Sequence, residues 1–206
     1  MKISKIGIII VLTVTVFSVL GGIVFGNDSG DAGVYFPVKP GNYWIYKLSM
    51  PGSSRVIQQK VKVDEPENGK SKIIVYDPNG NPEVFVSYEL NQQGLFKFSE
   101  MSAWGFNEYH PLWPVLKNNM VVGTNWNWES EDHKMKEEVK VVGIEKVTVP
   151  AGTYQALLVQ YSGINLNGVA YVDKTWWVKN MGYVKDELTI DGKPLISELV
   201  EYQIAK

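Results

Sequence analysis

Arg55-Val-Ile-Gln-Gln-Lys-Val-Lys-Val-Asp64 alternates apolar and polar side chains, with Ile57, Val61 and Val63 on one face and Gln58, Lys60, Lys62 and Asp64 on the other. A period of two is the mark of a half-buried β-strand, because successive Cβ atoms point to opposite sides of a sheet. Two further stretches repeat the pattern. Met135, Val139 and Val141 alternate with Lys134, Lys136, Glu138 and Lys140, and Ile196, Val200, Tyr202 and Ile204 alternate with Ser197, Glu201 and Gln203. Runs rich in β-branched and aromatic residues lie between them, at 43–48, 71–76, 83–88, 95–98, 154–161, 169–178 and 182–190.

The connections carry turn chemistry. Asn68-Gly69, Asn79-Gly80, Asn167-Gly168 and Asp191-Gly192 tolerate the positive φ of tight hairpins, and Pro51-Gly52 and Gln93-Gly94 mark two more reversals. Strands joined by hairpin turns pair with their sequence neighbours. The fold class predicted is therefore all-β, a curved antiparallel meander sheet or open β-barrel of about ten strands, filling 34–206 as a single domain. One segment escapes: Glu100 to Val122 contains Trp104, Gly105, Phe106, Tyr109, His110, Pro111, Trp113 and Pro114 with no sustained period. It reads as a short helix or a long crossover loop, and as the place to look for a binding mouth.

Upstream of the β region, Ile6 to Phe25 is an uncharged apolar run preceded by Lys2 and Lys5 and followed by Asp28 and Asp31. About 20 such residues can span a bilayer as a helix, and the flanking charges hold its start in the cytoplasm. The β domain is expected outside the cytoplasm. Residues 1–26 serve either as a signal peptide cut after Gly26 or as a retained anchor on the outer face of the cytoplasmic membrane, with 27–33 as linker.

Composition excludes several function classes. The 206 residues contain no cysteine, which removes disulfides, thiolate metal sites, a cysteine nucleophile and a lipid-modified cysteine at the end of the leader. The formal charge is -2, Arg55 is the only arginine, and the lysines are dispersed among acids, so the positive face that nucleic-acid binding requires is missing. There is no Gly-x-Ser-x-Gly elbow, no His-Glu-x-x-His and no phosphate loop. A catalytic triad would have to use His110 or His133, and a pair of carboxylates running glycoside hydrolysis could not be recognised without distances. No cofactor is indicated, and the expected protein is not an enzyme.

Two constellations invite a metal reading. Asp77, Asn79, Asn81 and Glu83 alternate like the first half of a calcium loop, but Pro82 and Tyr88 stand where that loop needs glycine and an acid; a hairpin turn accounts for them. Glu129, Glu131, Asp132 and His133 lie between two strands and read as a solvated turn, so no metal is expected.

The aromatic residues carry the functional expectation. Trp126 and Trp128 share one face of a strand over 124–128, while Trp176 and Trp177 point to opposite faces. Core filling accounts for any single tryptophan. Taken together, Trp104, Phe106, Trp113, Trp126 and Trp128 are the candidate ligand-binding residues, lining a concave face that holds a lipid or other apolar or amphipathic ligand. The alternatives are a cell-surface interaction module for polysaccharide or protein, and a hydrolase without a recognisable motif.

Three segments together suggest a family. They are Tyr35-Phe-Pro-Val-Lys-Pro-Gly-Asn-Tyr-Trp-Ile-Tyr46, Val147-Thr-Val-Pro-Ala-Gly-Thr-Tyr-Gln-Ala-Leu-Leu-Val159, and Trp176-Trp-Val-Lys-Asn-Met-Gly-Tyr-Val-Lys185. Their order resembles a broad group of uncharacterised exported bacterial β-rich proteins, and more distantly the half-barrel periplasmic lipoprotein carriers. The second resemblance implies a curved antiparallel sheet with an apolar ligand groove. The motifs also have architectural readings: Pro150 to Thr153 predicts a turn or edge bulge, and Asn180-Met181-Gly182 a tight reversal.

Overall fold

The computed structural model describes residues 31–205; the apolar run 6–25, with the helix and the cleavage expected there, lies outside the described residues. The chain makes β1 (Tyr43–Ser49), β2 (Val56–Glu67), β3 (Lys70–Tyr76), β4 (Pro82–Asn91), β5 (Gly94–Ser102), β6 (Gly105–Lys117), β7 (Asn125–Glu129), β8 (Lys136–Val149), β9 (Gly152–Ile164), β10 (Ala170–Val178), β11 (Gly182–Ile190) and β12 (Lys193–Gln203). All join one 12-stranded sheet in the order β6-β5-β4-β3-β2-β1-β12-β11-β10-β9-β8-β7. Each half is a meander of antiparallel hairpins, and β1 pairs with β12 to join the halves. The predicted turns deliver the reversals: Asn68 and Gly69 have φ of 52° and 73°, and Asp191 and Gly192 have 49° and 71°, the two left-handed residues a tight hairpin needs.

Strand twist rolls the sheet into a nearly closed barrel, so that its two edges, β6 and β7, face each other along a seam. We call the end at which β1 begins the base and the opposite end the rim. The 118–124 connection and the β2–β3, β4–β5, β8–β9 and β10–β11 turns lie at the base; the β1–β2, β3–β4, β5–β6, β7–β8, β9–β10 and β11–β12 turns lie at the rim. Alternation sends Trp44, Tyr46, Leu48, Val61, Val63, Ile73 and Val75 inward, where they join Trp177, Tyr183 and Leu199 in the main core.

The segment expected to be a helix or a loop is instead a hairpin. β5 runs to Ser102, the chain reverses at 103–104, and β6 runs back from Gly105 to Lys117. Its period is hidden by Pro111 and Pro114 and by register shifts of one residue at Leu95/Phe96 and of three between Lys97 and Ser99, both odd slips that move the apolar column to the other face. With β7 it raises the strand number from the expected ten to twelve.

The base is plugged by the chain's own first described residues. A single turn, α1 (Ala32–Tyr35), and the extended residues after it bury Ala32, Tyr35, Phe36 and Val38. The Ala32 N–H donates to Asn118 Oδ1 at 2.9 Å, and the Asn180 N–H donates to the Val34 carbonyl at 2.6 Å. Phe36 stacks on Trp44 at 5.1 Å between centroids and meets Trp177 edge-on at 5.8 Å. Asn42, fully buried, donates to the Pro37 carbonyl and accepts the Ala205 N–H, both at 2.6 Å.

Candidate functional site: the barrel seam and the polar interior behind it

β6 is poorly made for pairing, since Pro111 and Pro114 carry no N–H. Among the described residues no ladder joins it to β7. Side chains take the ladder's place. The Trp126 indole N–H donates to the Pro114 carbonyl and that of Trp128 to the Pro111 carbonyl, both at 3.0 Å. The Glu131 N–H donates to the His110 carbonyl at 2.7 Å, and the Tyr161 hydroxyl donates to the Val115 carbonyl at 3.2 Å. Pairing 126 with 114, 128 with 111 and 131 with 110 is an antiparallel register, written in indoles for two of its three rungs.

The five aromatic residues singled out from the sequence divide among three places. Trp113 and Trp128 stack across the seam at 5.1 Å with planes 7° apart, and Tyr109 meets both edge-on. With Met135 these form a small cluster separate from the main core, while Trp126 belongs to the main core. Trp104 and Phe106 stand on the rim hairpin, 60% and 62% exposed. Phe106 lies seven positions before Trp113 on β6, roughly 23 Å along an extended strand, and does not join the stack.

Behind the Trp113–Trp128 stack lies a buried set of charges. Lys97 forms an ion pair with Glu100, both almost without exposure, and its ammonium sits 4.8 Å from the centre of the Trp113 ring and 5.3 Å from that of Tyr109. Burial pushes this lysine's pKa down, but Glu100, Tyr109 and Glu137 together hold it above its ordinary value. Glu137 spans the structure from β8: its Oε1 accepts the Trp113 indole N–H at 2.6 Å and its Oε2 accepts the Tyr171 hydroxyl at 2.5 Å. Burial raises its pKa to about 7, against the opposing pull of Tyr171, Trp113 and Lys97. On β11, burial of the carboxyl raises Asp186 to about 6, although Asp173 and the Thr175 hydroxyl bond to it.

Gly163 makes the Glu137–Tyr171 contact possible. It pairs with Glu137 on one side and Tyr171 on the other. A Cβ there would lie 2.2 Å from the Lys136 carbonyl oxygen and 3.0 Å from the Tyr171 hydroxyl. The tyrosine occupies the space that the missing side chain leaves.

An open depression of about 480 Å³ borders this site, lined by Asn127, Trp128, Glu129, Lys136, Glu137, Glu138, Ser162, Gly163 and Ile164. It sets an indole and an isoleucine beside carboxylates. The side chains of the two histidines make exposed contacts, His110 with Glu108 at 2.8 Å and His133 at 2.5 Å with Glu129 on the edge of the depression. Among the described residues no three potential metal ligands cluster. Asp77 is occupied inside its hairpin turn, its Oδ1 accepting the N–H groups of Asn79 and Asn81, both at 2.8 Å.

Sequence reasoning missed Lys97, Glu137, Asp173 and Asp186. A signal existed for Glu137, which occupies the apolar column of its own strand between Met135 and Val139. Lys97 was hidden by the neighbouring register shift.

No protein-family model matches the chain, and no curated protein matches it. Among solved structures, the chain is similar to a candidate lipoprotein of Parabacteroides distasonis ATCC 8503, at 15% identity and a TM-score of 0.45, covering 82% of this chain and 98% of that one. It is similar at the same identity, TM-score and coverage to a candidate exported protein with YmcC-like fold from Bacteroides fragilis NCTC 9343. The hypothetical lipoprotein YmcC of Escherichia coli K12 is similar at 11% identity and a TM-score of 0.39, over 77% of this chain and 84% of that one.

Proposed function

We propose that the chain is an exported, non-catalytic binding protein for an amphipathic ligand, held at the depression beside the seam. The observation that carries this reading is the lining of that depression, where apolar surface of Trp128 and Ile164 adjoins Glu137 and Glu138. Such a lining suits a molecule with an apolar body and a polar head. The barrel interior is filled by Trp44, Tyr46, Tyr88, Phe36, Lys97 and Trp177, which favours the mouth over the lumen as the binding place. The run Ile6 to Phe25 delivers the barrel outside the cytoplasm and, where it is not cut, holds it at the membrane's outer face.

A second reading rests on Trp104 and Phe106, whose exposure on the rim hairpin suits a platform for glycan or protein. One experiment separates the two. The native mass of the exported protein is recorded before and after denaturation, and tryptophan emission is followed against lysophosphatidylcholine below its micelle concentration and against soluble glycans. Released amphiphile, with a lipid response abolished by Ile164→Asp, supports the depression. A bare-chain mass, with a glycan response lost in the Trp104→Ala, Phe106→Ala double variant, overturns it in favour of the platform.

A further inference from the structure

The loop between β6 and β7 carries two exposed valines, Val121 at 63% and Val122 at 55%. It is pinned to the edge of β8. The Gly123 N–H donates to the Val141 carbonyl at 2.9 Å, and the Val141 N–H returns to the Thr124 carbonyl at 2.8 Å. Val142 and Ile144, the second of them 67% exposed, follow directly on β8. β7 pairs with β8 only from Lys136 to Lys140, so no strand covers this part of the β8 edge among the described residues. Four exposed aliphatic side chains thus gather around one backbone junction at the base.

The described chain begins beside the same junction. The Ala32 N–H is bound to Asn118, three residues before Val121. Residues 26–31 join this point to the apolar run ending at Phe25, and six residues fully extended reach at most about 20 Å. β6 alone runs 13 residues from base to rim, roughly 40 Å along the strand. A bilayer that holds the run therefore holds the base close to its surface, and the tether is too short to bring the rim there instead.

We propose that the base of the barrel rests on the outer leaflet, with Val121, Val122, Val142 and Ile144 seated in the headgroup region and the rim facing away. This rests on the reading that the run is retained as an anchor. It assigns the exposed valines a lipid surface as partner, and it turns the depression and the Trp104–Phe106 hairpin toward the aqueous compartment.

The chain has no cysteine, so one introduced thiol takes a unique label. Full-length Val122→Cys and, at the rim, Leu166→Cys are made by cell-free synthesis into phosphatidylcholine–phosphatidylglycerol vesicles and labelled with an environment-sensitive fluorophore. Lipids carrying a shallow nitroxide should quench the label at 122 roughly twofold, as for a group seated ~5–10 Å into the interface, and leave that at 166 unchanged. Chains that float with the vesicles yet show no quenching at 122 overturn the seating and leave the anchor standing. Quenching at 166 in place of 122 reverses the orientation and also overturns it. Chains that fail to float overturn the anchor reading, and the seating with it.

Discussion

Gly163 sits where two strands press a third, and its lack of a side chain lets the Tyr171 hydroxyl reach Glu137. Gly163→Ala should cost about 1–3 kcal/mol, the range for forcing atoms into a filled site; a lowered urea midpoint with an unchanged slope would record it. Glu137 is the residue through which pH acts. Its folded pKa of about 7 lies above the ordinary carboxylate value of 4.5, so between those limits the folded chain binds more protons than the unfolded one. Stability must then fall as pH rises through that window. Asp186, raised to about 6, acts in the same direction lower down. Urea melts from pH 5 to 8 should show the decline, and Glu137→Gln, which keeps the shape without the charge, should flatten its upper part.

At the scale of the element, the seam decides how the barrel holds together. Two of its rungs are indole N–H groups, so Trp128→Phe and Trp126→Phe keep one aromatic ring while leaving the Pro111 and Pro114 carbonyls without their donors. Each should cost about 1–3 kcal/mol, and hydrogen exchange should rise along β7 and the adjoining β8 residues before it rises at β1 and β12. That pair of tryptophans shows where sequence reading stops. Their shared face was legible, because alternation along a strand is a local rule. Their partners were not, because Pro111 and Pro114 lie on a strand whose own period is broken, and only closure of the sheet brings β6 beside β7. The same holds for Trp113, whose bond to Glu137 joins β6 to β8 and has no trace in a local pattern. Turns such as Asn68-Gly69 and Asp191-Gly192 were fully legible, since their chemistry resides in two adjacent residues. Trp104 and Phe106 were named for their density of aromatic surface, and nothing in a local pattern could have separated them from the three tryptophans of the seam.

For the whole molecule, closure of the base matters as much as closure of the seam. Phe36 lies outside every strand yet is fully buried against Trp44 and Trp177. Phe36→Ala should cost about 3–5 kcal/mol, as for a large core ring, and should lower the single melting transition of the barrel without adding a second one. A separate early transition would mean that the plug folds independently of the strands. The pairing of β1 with β12 reaches further, into the order of events as the chain is made. The first strand to emerge finds one of its two neighbours only when the last strand has followed it, and Asn42 waits in the same way for Ala205. A chain that emerges from its N-terminus cannot complete such a ring part-way. The finished barrel can close only after its last strand is out, and until that moment β1 carries an open edge that its surroundings have to keep from other chains.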